Sequence, residues 1–202
     1  NRTNEEVMRE NSNKNAIMAS TQRDLVAGEV SKDISKRILF PEHIIQAHEE
    51  GIIHKHDLDY FLQRIHNCCL VNLEDMLQNG TVINGTMIEK PHSLLTAFNI
   101  ATQVAAVVAS NQYGGMSITL SHLAPFVDIS RQRIRKDVEK EVVYSVDISH
   151  GMMDKQTRDS VIDRITEKRL MKEIKQGVQL LQYQINTISS TNGQTPFITV
   201  FM

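Results

Sequence analysis

Apolar residues along this chain recur mostly at intervals of three and four, the spacing of helix faces, with short alternating runs between. Residues 1–15 are polar and rich in asparagine, the pattern of a weakly ordered arm or short helix. In residues 16–40, Ala27, Val30, Ile34 and Ile38 mark one helix face. Phe40-Pro41 breaks it, because proline disfavours the helical conformation in the residue before it. Pro41 then opens a second helix, with Glu42 near the positive end of its dipole and Gly51 to end it. The run IIHKHDLDY reads as extended, HNCCLVN follows it, and LEDMLQ reads as a short helix closed by Asn79-Gly80. Residues 81–90 alternate around Asn84-Gly85, which predicts a small hairpin.

From Pro91 to Tyr113 the pattern is a long, mostly buried helix. Its small residues Ala97, Ala101, Ala105 and Ala109 recur every four positions, so a neighbouring helix can approach closely. Gly114-Gly115 ends it, MSITL reads as a strand, and a helix follows over residues 121–141. Residues 143–156 are ambiguous, with a break at Gly151. In the last helix Met171, Ile174, Val178, Leu181, Ile185 and Ile188 form a narrow seam facing a partner helix. That helix ends near Thr191-Asn192-Gly193, and QTPFITVFM enters as a buried strand. This alternation predicts an α/β fold, a barrel or parallel sheet of which these residues supply the first strands. The organisation is one incomplete domain over residues 1–202. The chain starts without methionine and stops on a strand-like run, so we expect a fragment.

Composition narrows the picture. Aromatics are only 5%, tryptophan is absent and methionines number nine, which suits helix-rich packing. With Lys+Arg 22 against Asp+Glu 24 there is no generic nucleic-acid footprint, and no DNA or RNA partner is expected. Two adjacent cysteines cannot form a disulfide framework, which fits a reducing cytoplasm. The start lacks an apolar signal core, and the longest apolar run in the helix after Pro91, residues 104–109, is far short of the ~20 residues that span a bilayer. We therefore expect a cytoplasmic protein without a membrane partner.

The chemistry gathers in residues 54–80. If Asn67-Cys68-Cys69-Leu70 is extended, its two thiols face opposite sides, so one can line a cavity while the other packs. Both could equally be small core hydrophobes, the usual state of free cysteine. His54-Lys55-His56-Asp57 has the spacing that sets two imidazoles on one side of a strand, as in some zinc or hydrolase sites. No further ligands declare themselves, and a hydrogen-bonded His/Asp cluster is the preferred reading. Asp57 and Asp59 could act as acid and base. Gly114-Gly115 permits a sharp turn or close backbone approach. Arg131, Arg133, Arg135 and Lys136 form either a solvated helix face or a triphosphate contact.

The segments HDLDY, NCCLVNLEDMLQNG, SNQYGGMS, LAPFVDISR and STNGQTPFITVF together resemble, in order and spacing, the anaerobic (class III) ribonucleoside-triphosphate reductases. The resemblance implies a ten-stranded α/β barrel with a finger loop, working as a homodimer. It implies a glycyl radical installed by a separate radical-SAM activating enzyme, formate as reductant in the best-known members, and a C-terminal zinc site. The first barrel strand and hairpin would lie in residues 51–90, the dimer and effector region in 91–192, and another barrel strand in 193–202. The family motif NCxLxxL falls on Asn67, Cys68, Leu70 and Leu73, so Cys68 is the implied thiyl-radical residue and Cys69 occupies an open position. His54, His56, Asp57 and Asn67 are implied to line or brace the ribonucleotide site, with no metal. Glu89, His92, Gln103 and Arg133 match positions that bind a deoxynucleotide or ATP effector, with His92 where some members have lysine.

The chain lacks the glycyl-radical loop, the four-cysteine zinc site, a second active-site cysteine and the N-terminal ATP-binding domain that the family pattern contains, so these 202 residues alone are expected to be inactive. Two other functions compete. One is a non-catalytic effector-binding dimerisation module, and the other a metal-dependent hydrolase using His54 and His56.

Overall fold

Helices with two small sheets make up a mixed α/β fold, seen in a computed structural model that describes residues 17–149, 154–188 and 196–202. The expected N-terminal arm, the break at Gly151 and the helix end at residues 191–193 lie outside the described residues. The chain divides into two compact units. One comprises Asn1–Cys69, Ala106–Met116 and Thr187–Ile198; the other comprises Leu70–Ala105, Ser117–Asn186 and Thr199–Met202.

In the first unit, helix α1 (Ala19–Ile34) runs into a π turn, Ser35–Leu39, and ends at the extended Phe40, as Pro41 requires. Its buried face is not the one the apolar spacing predicts. Thr21, Gly28, Ser31 and Ser35 are buried, while Ala27, Val30 and Ile38 are exposed. The reason is close approach: a Cβ on Gly28 would lie 3.3 Å from Asp59 Cβ, and Ser31 Oγ donates to Leu58 O at 2.8 Å. A larger apolar face could not come so near.

Helix α2 (Glu42–Glu49) closes as expected at Gly51, φ 75°. Gly51 N–H donates to His48 O and Ile52 N–H to Ala47 O, the paired bonds of a Schellman motif. The run from His54 to Tyr60 is not a strand. Asp57 has φ 60°, and Tyr60 N–H donates to Asp57 O while Gln63 N–H donates to Tyr60 O, so the segment is a succession of turns.

Strands β1 (Cys69–Leu70), β4 (Met116–Thr119) and β5 (Ile198–Phe201) form a three-stranded sheet in the order β1-β4-β5. Cys69 N–H bonds to Gly115 O and Val71 N–H to Ser117 O, so residue numbers rise together and β1 runs parallel to β4. Between them in sequence come α3 (Leu73–Asn79), capped by the Asn72 side chain, and the predicted hairpin of β2 (Thr81–Ile83) and β3 (Thr86–Ile88). Asn84 and Gly85 have φ 51° and 78°, the left-handed pair that a two-residue hairpin turn needs.

Helix α4 (Leu94–Ser110) buries all four alanines of its stripe. In the second unit, α5 (Ala124–Ser149) and α6 (Lys155–Thr187) share a core of Ile134, Val138, Ile162 and Leu170. The expected seam of α6 needs correction. Of its members Leu181 is buried and Ile174 packs against that core, but Met171 and Val178 are half exposed, and the buried stripe is Ile162, Thr166, Leu170, Glu173, Gly177 and Leu181. Small and polar positions again sit where a neighbour comes closest. A Cβ on Gly177 would collide with the ring of Phe98, 3.0 Å from its Cγ.

Gly177→Ala therefore sets a helix-propensity gain of about 1 kcal/mol against an overpacking cost of about 1–3 kcal/mol. We expect net destabilisation in a denaturant titration; a more stable alanine variant would show that Phe98 turns aside freely. Among the described residues no helix is long and apolar enough to cross a membrane.

Candidate functional site

The cysteine segment lies against the Gly114-Gly115 corner, and its geometry starts with backbone. Tyr113 N–H donates to His66 O at 3.0 Å and His66 N–H to Asn111 O at 3.2 Å, a parallel bridge between His66 and Gln112. The next bond joins Cys69 to Gly115. Three steps on the cysteine side thus oppose four on the glycine side, and the register advances by one residue. Gly114 absorbs that step. A Cβ there would overlap both the carbonyl oxygen and Oδ1 of Asn67, so only glycine lets Asn67 pass. Gly115 has a similar relation to Phe197, whose ring Cδ1 would lie 2.5 Å from an added Cβ.

This packing sends the two thiols to opposite faces, as the extended reading requires. Cys68 is exposed and donates to Asn67 Oδ1 at 3.3 Å. Leu70, two residues on and on the same strand face, is 83% exposed. Cys69 is half-buried and donates to Gln112 Oε1 at 3.1 Å. Val71, which shares its face, is buried. Burial, and then the neighbouring Cys68, push the Cys69 thiol up, so it stays protonated to higher pH than a free thiol.

Asp57 joins this region through Tyr113. The tyrosine hydroxyl donates to Asp57 Oδ2 at 3.0 Å, and its ring stacks on Tyr60 with centroids 4.1 Å apart. Burial first, then this hydrogen bond and the charges of Asp57 and Asp59, push Tyr113 up to about 12. The phenol therefore remains a donor well above neutral pH. His56 Nδ1 lies 2.6 Å from Asp57 Oδ2. His54 instead stands between His48 and His56, at ring separations of 5.4 and 5.7 Å. Because the segment turns, the two imidazoles do not share one side of a strand. Among the described residues no group of three or more His, Cys, Asp or Glu is placed to hold a metal ion.

The effector candidates lie in the second unit. Glu89, His92, Gln103 and Arg133 are all exposed. Arg133 Nη2 pairs with Glu173 Oε2 at 3.1 Å, and Glu173 Oε1 accepts from Leu95 N–H and Ser130 Oγ. Ser130 Oγ in turn accepts from Leu94 N–H at 2.7 Å. The start of α4 is thus capped from α5 and α6, and Arg133 is held one carboxylate away from it. His92 precedes that helix end by two residues. Gln103 lies about 13 Å further along the axis at 1.5 Å per residue, so it stands apart from the helix start near which Arg133 is held. The other basic residues of α5 mostly meet carboxylates. Arg131 bonds Asp128 and Glu167, and Arg135 bonds Glu139 and Asp163. These exposed pairs fit the solvated-face reading.

Sequence reasoning missed Gln112, Tyr113 and Glu173. Gln112 and Tyr113 adjoin the Gly-Gly pair and lie in the SNQYGGMS segment, which carries the resemblance without marking either as a site residue. Glu173 interrupts an apolar helix face with a charge, a signal visible in the spacing once the right face is chosen.

Comparisons with known proteins place this chain in a family. A profile described as anaerobic ribonucleoside-triphosphate reductase matches residues 10–202. The anaerobic ribonucleoside-triphosphate reductase of Enterobacteria phage T4 is 38% identical over 98% of this chain and 31% of its own length. The proteins of the same name from Escherichia coli and Haemophilus influenzae are 38% and 37% identical over 98% of the chain and 26% of theirs. The chain thus spans between a quarter and a third of the length of these curated relatives. On the strength of the near-complete match, this chain belongs to the anaerobic ribonucleoside-triphosphate reductase family.

Proposed function

We propose that the complete polypeptide carrying this sequence reduces ribonucleoside triphosphates to deoxyribonucleoside triphosphates, with the Cys68 sulfur as the hydrogen-abstracting atom. The observation that carries this reading is the split between the two thiols. Cys68 stands on the open face of its strand beside Asn67, while Cys69 is tied to Gln112 on the other. A glycyl radical, installed by a radical-SAM activating enzyme, supplies the one-electron oxidation of Cys68.

The cysteine then works by reversible hydrogen transfer. Its sulfur takes the ribose 3′-hydrogen, so that an S–H bond forms as the C3′–H bond breaks. The 2′-hydroxyl accepts a proton and leaves as water. Formate supplies two electrons and is oxidised to carbon dioxide. Cys68 finally returns the hydrogen to C3′ and is itself again a thiyl. Asn67 steers the sulfur from the neighbouring position. Asp57, held by Tyr113, braces the nucleotide site with His56, and His54 bounds it on the side of His48. Water must be kept from such a radical, and we assign β1, β4 and β5 to a ten-stranded barrel whose inner face does so.

Glu89, His92, Gln103 and Arg133 belong in this reading to an effector site for a deoxynucleotide or ATP at a homodimer interface. Arg133 retains guanidinium donors beyond the one given to Glu173, enough for a phosphate contact. The C-terminal zinc site belongs to parts of the complete polypeptide outside these residues.

The test is direct. The complete polypeptide, activated and given formate, should convert a ribonucleoside triphosphate to its deoxy form, while residues 1–202 alone should form none. Absence of product from the activated complete protein, or product from the short chain, would defeat the proposal.

A further inference from the structure

Lys55 stands between His54 and His56 in sequence, and its side chain is committed elsewhere. The ammonium lies over the rings of both Phe40 and Phe61, 5.3 and 4.9 Å from their centroids, within the reach of a cation–π attraction. The two rings are 4.8 Å apart and tilted by 51°, so they form a wedge that the cation fills. Phe40 is the extended residue that Pro41 requires at the end of the π turn, while Phe61 lies just past Tyr60. The wedge thus ties the turns of residues 54–60 to a helix junction that a proline fixes.

Two hydrogen bonds complete the attachment. Lys55 Nζ donates to His56 O at 3.0 Å, and Lys55 N–H donates to His48 Nδ1 at 3.2 Å, at the end of α2. His56 O belongs to the peptide that leads into Asp57, where φ is 60°. A residue other than glycine keeps a positive φ only where its surroundings over-determine it. Beyond that peptide the segment is gripped by Tyr113 at the Asp57 carboxylate and by Ser31 at Leu58 O. Before it, the grip is Lys55.

We infer that Lys55 is a positioning residue, clamped between Phe40 and Phe61, that fixes the turn presenting His54, His56 and Asp57 to the ribonucleotide. This rests on the assignment of those three residues to the nucleotide site proposed above, and it is independent of which sulfur carries the radical.

The test uses the complete, activated polypeptide with CTP as substrate and the effector concentration held constant. Lys55→Met keeps the apolar stem and removes the charge and its donors. It should raise KM for CTP about tenfold, the combined worth of a cation–π contact and a charged hydrogen bond, and leave kcat within about twofold. Lys55→Arg should bring KM back to within about twofold of wild type, because a guanidinium stacks on aromatic rings and can still donate to His56 O. A lysine that served the fold alone would lower the thermal midpoint and leave both constants of the folded variant unchanged. That outcome would overturn the inference, as would a KM that arginine does not restore.

Phe61→Leu supplies a second check should Lys55→Met not fold, since Phe61 is already 49% exposed. Removing one ring of the wedge should raise KM about threefold. A wild-type KM in Phe61→Leu beside a raised one in Lys55→Met would mean that the ammonium touches the nucleotide itself, and the positioning role would fall. The underlying reading fails in a different place. If His54→Ala and His56→Ala both keep the wild-type KM, the nucleotide assignment falls and this inference with it. If either raises KM while Lys55→Met and Phe61→Leu do not, only the role of Lys55 falls.

Discussion

Cys68→Ser should leave the activated complete polypeptide with no detectable deoxynucleotide formation, whereas Cys69→Ser should retain activity within about fivefold. The two substitutions are chemically identical and one residue apart, so their contrast isolates position. Serine at 68 places an O–H where the mechanism needs an S–H. The O–H bond is much the stronger, so forming the oxygen-centred radical is disfavoured, and an added barrier of only about 7 kcal/mol already removes about five orders of magnitude in rate. At 69 the change is mild, because a serine hydroxyl can still donate to Gln112 Oε1 in place of the thiol. The measurement is product formation under anaerobic conditions, with the glycyl radical quantified first so that failure of activation is not mistaken for failure of chemistry. The reverse pattern would move the radical to Cys69.

Gly114→Ala should cost both stability and rate, though it adds one methyl group to a residue with no chemistry of its own. Gly114 is not among the glycines with positive φ, so alanine meets no backbone strain there and the argument is wholly one of space. The added Cβ overlaps the Asn67 carbonyl oxygen and Oδ1 and would lie 2.8 Å from its carbonyl carbon. Backbone cannot swing aside as a side-chain tip can, so the cysteine segment must move. Overpacking of this kind costs about 1–3 kcal/mol. A displacement near 1 Å of a reacting group costs about a hundredfold in rate. Gly115→Ala makes a useful comparison, since it meets mainly the ring of Phe197, a side chain that can rotate. Denaturant titration followed by turnover of the folded variants tests both. Wild-type turnover in Gly114→Ala would show that Asn67 does not position Cys68.

Much of the fold was legible because its signals were local. Asn84-Gly85 specified the hairpin through two left-handed residues, and Gly51 ended its helix for the same reason. The alanine stripe of α4 was legible because small size at every fourth residue has one common use, close helix packing. The misread faces of α1 and α6 share a cause. Their contacts are so close that Thr21, Gly28, Ser31 and Gly177 fit where larger apolar side chains would not, and hydrophobicity then points to the wrong stripe. The extended reading of IIHKHDLDY failed because nothing in the residue types announces the positive φ of Asp57. At the site, opposed thiols followed from the two-residue period of an extended chain. Their separate partners did not, since Asn67 is adjacent to Cys68 but Gln112 reaches Cys69 only through the register step at Gly114.

That sheet also sets an order of assembly. The strands on either side of the step, β1 and β4, come from nearby parts of the chain and can pair once α4 has closed the loop between them. The far edge of β4 must wait, because Met116 N–H bonds to Phe197 O, beyond α5 and α6. Closing so distant a contact is slow, and an unpaired strand edge is meanwhile open to the wrong partner. On a ribosome the cysteine segment would emerge and pair on one side long before its sheet was complete.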